Sequence, residues 1–577
     1  MAVQGRRRAW LVAILAAGLA AGTGAGGAAA ATKHASVDVI VSGLPGASDL
    51  VARDVEAVGG HVVTRLAVVN GATARVPANS VNRLRRMPGV RAVTSNGRVH
   101  FTGVDSTLGY DVSGDDGSLY NIGEVTKAKD AWNKGWTGKG VDVALIDSGV
   151  APVKGLTSGN VLHGPDLSFE SQNVDFIHTD TFGHGTHMAS IIVGRDQPST
   201  GSTYANNSSH KFNGVAPDAR LISLKVATNS GATDVSQVIA AIDWVVANRR
   251  TGGLNIRVLN LSFGTDSTQD PSIDPLCFAV ENAWRAGIVV VVASGNDGTN
   301  RQQLASPAQD PLVIAVGADD PQGTNDVRND TVPAFAQRGT TTRHVDVIAP
   351  GVHVLGVRVP GSRIDNDNPQ ARVGTRFFRG SGTSQAAAVV SGLSAQYLQK
   401  YPTATADQVK RALMVYATIP DSVRVINGGE GVPDIDKAIS SLKPAWAQAP
   451  TGATGTGTLE AARGSAHVND GTTDLTGEQD IFGHAWDSAS WAAATAAGTA
   501  WSGGDYNGNT WTGNTWSGNT WTGNTWSGNT WSGNTWSGNT WSGNTWTGSG
   551  WSGNTWSGNT WTGNTWSTSV FASAEWD

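Results

Sequence analysis

The sequence predicts an α/β protein whose mostly parallel sheet has helices on both faces, flanked by a small α+β domain and a repeat tail. Hydrophobic runs typical of buried strands alternate with helical patterns through residues 121–442, as in parallel sheets covered on both sides. A shorter βαββαβ alternation precedes them, and from Trp511 to Trp566 a tryptophan recurs every five residues. The expected segments are a leader (1–31), the small domain (32–104), the α/β domain (105–442), a linker (443–500) and the tail (501–577).

The small domain follows from local patterns between residues 36 and 101. A β-branched strand is followed by a helical pattern at 45–58. Two further strands flank Asn70–Gly71, a pair that suits a tight hairpin turn. A second helix at 79–87 and a last strand at 90–94 complete the split βαβ order. An ordinary ligand-binding module is one interpretation of so common a fold.

The composition excludes several classes of protein. The 577 residues carry 41 basic and 47 acidic side chains, a net charge of −6, so we expect no nucleic-acid partner. Cys277 is the single cysteine, which excludes an internal disulfide and any zinc or iron–sulfur site built on cysteines. An inert, buried thiol is the expectation for Cys277.

The N-terminus has the pattern of a secretory signal peptide. Arg6, Arg7 and Arg8 precede an apolar run from Trp10 to about Ala21, and small residues follow it. A membrane anchor is the alternative, but the run is shorter than the roughly 20 residues that span a bilayer. We therefore expect a secreted or extracellular protein, with association with the cell surface left open.

In the α/β domain, four glycine-flanked segments each carry one chemically useful residue. They are Asp147 after a strand, His184 and Ser384 near helix starts, and Asn296 in a turn after a strand. Alone, each has an ordinary structural interpretation as a turn, packing or capping residue. His184 and His187 lie three apart, but the Glu of the His-Glu-x-x-His zinc motif is missing. A general base at His184 and a packing or supporting role for His187 are therefore the better interpretation.

Taken together in this order and with these flanks, the four residues resemble the subtilisin-like serine protease family, over about 121–442. The resemblance implies that Ser384 is the nucleophile, His184 the general base, and Asp147 the group that orients the imidazole. It implies that Asn296 stabilises the oxyanion. A secreted endopeptidase acting on polypeptides through an acyl-enzyme is the function that follows, with a monomer expected.

The resemblance also assigns roles outside the triad. It implies that the small domain is a propeptide, which acts as an intramolecular inhibitor until the precursor processes itself. It further implies two walls of a groove for an extended substrate, Ser262-Phe263-Gly264 and Ala293-Ser294-Gly295. The chemistry requires no cofactor, and no metal ligand is assigned. Asp166 resembles one calcium ligand of the family, so a structural calcium ion is left open.

The tail repeats the unit Trp-Ser/Thr-Gly-Asn-Thr. Gly-Asn suits a two-residue hairpin loop, which would leave strands of three residues with tryptophan at each centre. Neighbouring centres would then form an aromatic ladder on one face. Such a ladder could bind a cell-wall or polysaccharide surface, or pack on the enzyme. A flexible low-complexity tail is the alternative.

Two other functions are alternatives to an endopeptidase. One is an inactive or weakly active surface- or polysaccharide-binding protein that works through its tail. The other is a serine esterase of another fold, but the Gly-x-Ser-x-Gly elbow is absent at Ser384 and the order Asp, His, Ser is wrong for it.

Overall fold

The chain forms two compact units, residues 1–101 and 102–577, in a computed structural model. The leader and most of the repeat tail lie outside the residues that the structure describes. Those residues are 36–95, 105, 108–172, 175–298, 301, 303–423, 431–469, 474–481, 484–502, 505–507, 509–512, 515–516, 531–532 and 535–536.

The smaller unit is an antiparallel sheet with two helices. Its elements are β1 (Ser36–Gly43), α1 (Ser48–Ala57), β2 (His61–Leu66), β3 (Gly71–Pro77), α2 (Val81–Leu84) and β4 (Val90–Ser95), with sheet order β2-β3-β1-β4. The β2–β3 connection is longer than the expected two-residue turn, because a 3₁₀ turn at Ala67–Val69 precedes Asn70, which has φ 47°. A Cβ on Gly71 would lie 1.8 Å from the Val41 carbonyl oxygen, so only glycine fits there.

The larger unit begins with helices and builds one large sheet. Its elements up to residue 440 are α3 (Leu119–Val125), α4 (Ala128–Asn133), β5 (Asp142–Asp147), β6 (Val161–Asp166), α5 (His184–Val193), α6 (Gly201–Asn207), β7 (Arg220–Lys225), α7 (Val235–Asn248), β8 (Ile256–Leu261), α8 (Pro275–Arg285), β9 (Val289–Ala293), β10 (Ile314–Asp319), β11 (Val347–Pro350), β12 (Val354–Val357), α9 (Arg363–Asp367), β13 (Arg372–Val373), β14 (Phe377–Gly380), α10 (Thr383–Lys400), α11 (Ala406–Val415), β15 (Ala417–Thr418), β16 (Val432–Pro433) and α12 (Ile435–Ser440).

The predicted α/β class with a parallel sheet is confirmed. Seven strands pair in the order β11-β10-β9-β8-β5-β7-β6, and every pairing is parallel. All residues of β5, β8, β9 and β10 are buried, as expected for strands covered on both faces. Because β9, β8 and β5 are neighbouring parallel strands, the segments that follow them all leave the sheet at its carboxyl-terminal edge, where the strands end. This edge is where ligands bind in open parallel sheets.

Residues 443–507, here named the C-terminal extension, differ from the expected linker over 443–500. The extension contains α13 (Leu459–Arg463) and α14 (Ser488–Ala496). Apolar side chains spaced along it join the hydrophobic core of the α/β sheet: Leu459, Ala462, Val468, Leu475, Ile481, Trp486 and Trp491. The Gly-, Ala- and Thr-rich composition concealed this packing, because the anchors follow neither the helical nor the strand period.

Short antiparallel pairs continue from the extension into the tail. They are β17 (Trp501–Ser502), β18 (Asp505–Tyr506), β19 (Asn509–Thr512), β20 (Thr515–Trp516), β21 (Trp531–Ser532) and β22 (Thr535–Trp536). Trp501 lies opposite Tyr506, and Trp511 opposite Trp516. Trp531 likewise lies opposite Trp536. The other repeats fall outside the described residues, so the continuous aromatic ladder stays a prediction.

Among the residues that the structure describes, none of the helices combines the length and the apolar character that crossing a bilayer requires.

Candidate active site

Asp147 and His184 meet at the edge of the sheet. Asp147 is the last residue of β5, and His184 is the first residue of α5. The imidazole Nδ1 lies 2.8 Å from Oδ1 and 3.0 Å from Oδ2 of Asp147, and both side chains are buried. This contact fixes the ring so that its other nitrogen, Nε2, points away from the carboxylate.

A second carboxylate holds this pair in place. Asp180 accepts hydrogen bonds from the Gly183 and Thr186 N–H groups at 2.6 and 2.7 Å. It also accepts from the Ser148 hydroxyl at 2.9 Å, and Ser148 donates its own N–H to Asp147 at 2.8 Å. Burial raises the pKa of Asp180 in spite of these donors. Asp180 therefore ties the start of α5 to the turn after β5.

The sequence pattern did not indicate a function for Ser148 or Asp180. Asp180 lies four residues before His184, and a carboxylate near the start of a predicted helix could have indicated a bond to its N-terminus, since carboxylates favour helix N-termini. Both residues orient the pair, because Ser148 contacts Asp147 and Asp180 accepts from the first turn of α5.

His187 is a packing residue, as the sequence suggested. Its Nε2 lies 3.2 Å from the Phe378 carbonyl oxygen, and burial lowers its pKa to about 3. A Cβ on Gly356 would come within 2.6 Å of the ring. The histidine is thus neutral and enclosed.

Ser384 and Asn296 are brought together by Thr383. Ser384 is the second residue of α10, and its side chain is almost completely buried. The Asn296 amide oxygen accepts from both the N–H and the hydroxyl of Thr383, each at 3.0 Å. The amide oxygen is therefore turned towards Thr383, which directs the NH₂ group of Asn296 elsewhere. Thr383 was not singled out from the sequence, because a threonine before a helical serine is an ordinary feature.

The two predicted groove walls follow adjacent strands. Ser262-Phe263-Gly264 follows β8, and Ala293-Ser294-Gly295 includes the last residue of β9. The Ser262 hydroxyl donates to the Ser384 carbonyl oxygen at 3.3 Å, so this wall starts beside the proposed nucleophile. Cβ atoms on Gly264 and Gly295 would come within 2.7 and 3.2 Å of the Ala305 Cβ. Because these positions are glycines, both walls can pack closely against Ala305.

The 293–295 wall has its backbone groups committed inside the protein. The Ser294 N–H donates to Val316 O, and Ser294 O accepts from the Ala305 N–H, each at 3.0 Å. The Gly295 N–H donates to the Thr383 hydroxyl at 3.2 Å, and Gly295 O accepts from the Gln337 N–H at 3.0 Å. This wall can contact a substrate side chain, but its Ser294 and Gly295 backbone groups are occupied.

Asp166, which resembles a calcium ligand of the family, lies in a hydrogen-bonded turn. Its carboxylate accepts from the Ser168 N–H and hydroxyl at 2.9 and 2.6 Å, and from the His178 N–H at 2.8 Å. Its oxygens therefore organise this turn, and the structural calcium ion stays a prediction. Within the described part of the chain, side chains of His, Cys, Asp and Glu form no cluster of three that could hold a metal ion.

Cys277 is enclosed in α8. Its thiol lies 3.8 Å from the Ser306 hydroxyl, and burial raises its pKa well above the ordinary value. A protonated, inaccessible thiol is unreactive.

Comparisons with known proteins identify similar sequences. The Subtilase family model matches residues 138–438. Serine protease AprX of Bacillus subtilis (strain 168) is 37% identical over 298 residues, which are 50% of this chain and 64% of AprX. Minor extracellular protease Epr of the same organism is 30% identical over 340 residues, 58% of this chain and 44% of Epr.

The chain therefore spans less than two thirds of the length of these two relatives. Subtilisin DY of Bacillus licheniformis is 34% identical over 297 residues, 51% of this chain and 89% of that protein. With a family model that covers more than half of its residues, and a relative matched over most of its length, the chain belongs to the subtilase family.

Proposed function

We propose that this protein is a secreted serine endopeptidase with Asp147, His184 and Ser384 as its catalytic triad. The observation that carries the proposal is the Nδ1 contact of His184 with both carboxylate oxygens of Asp147, in a buried setting at the sheet edge. That contact stabilises an imidazolium and selects the tautomer in which Nε2 can accept a proton. Membership of the subtilase family supports the same chemistry.

The reaction proceeds through an acyl-enzyme. Ser384 Oγ forms a bond to the substrate carbonyl carbon while its proton passes to His184 Nε2. The C–N bond then breaks, and the amine leaves with that proton. Water attacks the resulting ester by the same route in reverse, which releases the acid and regenerates the serine.

Asn296 and the Ser384 N–H stabilise the negative oxygen of the tetrahedral intermediate. The Asn296 amide is held by the Thr383 bonds to its oxygen, which presets the direction of its NH₂ group. Preorganised donors of this kind gain most in a site that excludes water. In subtilisin, a relative of this chain, loss of the oxyanion amide lowers turnover roughly 10²–10³-fold. The chemistry needs no metal or cofactor.

Substrate binding divides between the two walls. Because the Ser294 and Gly295 backbone groups are committed, we assign pairing with an extended polypeptide backbone to Ser262-Phe263-Gly264. The 293–295 wall then contacts the side chain next to the scissile bond. A monomer suffices for this arrangement.

Export and self-processing complete the proposal. Residues 1–31 begin with basic residues, continue with an apolar run and end with small residues. This order supports cleavage of a signal peptide. The word extracellular in the name of the relative Epr is consistent with it. The βαββαβ unit lies between the leader and the triad in the sequence, where a propeptide that inhibits its own enzyme would lie. An inactive binding protein is not favoured, since all four residues of the pattern are present.

Substitution of Ser384 tests the enzyme and its processing together. Ser384→Ala is expected to lower turnover of a peptide substrate roughly 10⁶-fold, as the loss of the serine does in subtilisin. It should also leave the secreted chain with residues 32–104 attached, which intact mass and N-terminal sequencing detect. Ser394→Ala is the matched control, because its hydroxyl bonds only within the same helix, to Val390 O at 2.8 Å.

The control should process itself normally and cleave the substrate at the wild-type rate. Normal processing of Ser384→Ala would contradict the proposal. Labelling of the wild type, but not of Ser384→Ala, by a serine-directed phosphonate would distinguish an enzyme from a decayed homologue.

The tail supports a second activity, binding to a polysaccharide or cell-wall surface. Cross-strand tryptophan positions at Trp511–Trp516 and Trp531–Trp536 suit a row of aromatic faces, which stack on apolar faces of ligands. The full chain should be retained on insoluble peptidoglycan or cellulose, whereas a variant that ends at Asn507 should pass through. Equal retention of the two proteins would refute this activity.

A further inference from the structure

The C-terminal extension contacts the α/β domain at two points beside the proposed groove. The first is the start of α7, where Arg463 forms an ion pair with Asp234, Nε to Oδ2 2.7 Å, with both side chains completely buried. Arg463 also donates to the carbonyl oxygens of Gly477 and Gln479 at 2.7 and 2.5 Å. One guanidinium thus joins the extension to the first turn of α7.

Asp234 in turn organises that turn of α7. It caps the helix by accepting from the Ser236 N–H at 2.9 Å, and the Gln237 side-chain oxygen accepts from the Asp234 N–H at 2.8 Å. Just before the cap, a Cβ on Gly231 would lie 2.9 Å from the Phe182 ring. That ring lies 6.5 Å from the His184 ring, centroid to centroid. The loop before α7 is therefore close to the catalytic histidine.

The second point of contact is the end of the 262–264 wall. The Thr265 hydroxyl donates to Ala462 O at 2.7 Å. Asp266 accepts from the N–H and hydroxyl of Ser465 at 2.5 and 2.6 Å. A Cβ on Gly464 would lie 2.2 Å from Asp266 Oδ1, so this approach requires glycine. The extension thus fixes the two residues that directly follow the wall.

The position of Ser262 sets the direction of the wall. Ser262 contacts Ser384, whereas Thr265 and Asp266 contact the extension, so the wall connects the proposed nucleophile to the extension. An extended substrate advances about 3.4 Å per residue. Substrate residues three or more positions from the scissile bond would therefore reach the part of the groove that the extension holds. Shorter substrates would end before it.

We propose that residues 459–467 fix the distal end of the substrate groove, with Arg463 as a positioning residue, so that long peptides are favoured over short ones. The inference rests on the proposed endopeptidase function. Arg463 acts through Asp234 and through the helix that carries Ala462, not by touching the substrate. The extension is then part of the binding apparatus of the enzyme and not a spacer before the tail.

The test compares two fluorogenic peptides in the full-length enzyme, one with two residues before the scissile bond and one with five. Arg463→Met should lower kcat/KM for the long peptide about tenfold, mainly through KM, and change the short peptide less than twofold. Arg463→Lys keeps the charge and should recover part of the long-peptide rate. Trp491→Phe is the control, because it weakens another anchor of the extension, the 3.0 Å bond to Asp243.

Trp491→Phe should lower the melting temperature and leave the long-to-short ratio of kcat/KM unchanged. If Arg463→Met does not fold, Ser465→Ala replaces it, because Ser465 is exposed and the change removes its hydroxyl bond to Asp266 while the backbone N–H bond remains. A reduced ratio supports the inference. Equal losses for both peptides, or no change in the ratio, would overturn it. Failure of the wild type to cleave either peptide would instead contradict the proposed function.

Discussion

Helix α7 is held to the C-terminal extension by two buried aspartates that use different chemistry. Asp234, at its start, faces the Arg463 guanidinium. Asp243, within the helix, accepts from three neutral donors, the Trp491 indole, the Thr495 hydroxyl and the Tyr506 hydroxyl, at 3.0, 2.9 and 3.0 Å. Although burial opposes ionisation at both, the arginine holds the pKa of Asp234 below its usual value. Burial raises the pKa of Asp243 to about 6.

The comparison shows that burial alone does not decide the charge of a carboxyl group. Three neutral donors do not offset the desolvation of Asp243, whereas one fully buried cation offsets that of Asp234. The two anchors therefore respond to pH in opposite directions. Asp234 contributes stability above the pKa of an unfolded aspartate, near 3.8, and loses it as pH falls further. Asp243 contributes stability below that value and loses it as pH rises through about 6.

Removal of the Arg463 cation should give the largest change in the stability of these two anchors. Arg463→Met leaves Asp234 buried without a partner charge, and we expect a loss of about 3–5 kcal/mol in the free energy of unfolding. Chemical denaturation of the Ser384→Ala background, which avoids self-digestion, measures it. Asp234→Asn in the same chain should restore more than half of the loss, because no charge then stays buried. A double variant as unstable as Arg463→Met would contradict the assignment.

The change in stability with pH that Asp243 causes should be somewhat smaller than the loss in Arg463→Met. Wild-type stability should fall as pH rises from 4 to 7, by up to about 3 kcal/mol if the shift at Asp243 acts alone. Asp243→Asn removes this ionisation and should reduce the fall in stability between pH 4 and 7. Melting temperatures across that pH range measure this difference. An unchanged slope in Asp243→Asn would mean that other buried carboxyls cause it. Asp310, whose pKa burial and the Glu281 charge raise to about 8, is the first to examine.

Loss of a single donor to Asp243 should give the smallest effect. Tyr506→Phe removes the hydroxyl that donates to Asp243 and accepts from Trp491 at 2.9 Å. The expected cost is about 1–2 kcal/mol at neutral pH, because the carboxylate then loses one of its donors. It should also raise the pKa of Asp243, so the cost should shrink below pH 5. A cost independent of pH would indicate lost packing instead.

The contact between Asp147 and His184 could be anticipated from sequence because each residue is tied to a local feature. Asp147 ends a hydrophobic strand, and the glycine before His184 has φ 109°, so both positions are marked by their neighbours. Thr383 and Asp180 carry no such mark, because their functions depend on contacts between distant segments. Arg463 could not have been predicted, since arginine is seldom fully buried and its partner lies 229 residues away.

The hairpin of Trp501 and Tyr506 has a consequence for the tail. The Trp501 indole donates to the Ala240 carbonyl oxygen at 2.9 Å, and the two rings pack 5.1 Å apart on the surface of α7. Trp501 and Tyr506 already keep the five-residue interval of the repeats. The first unit of the series is thus packed on the α/β domain. Gain or loss of a whole repeat through DNA slippage would lengthen or shorten the tail while its point of attachment stays the same.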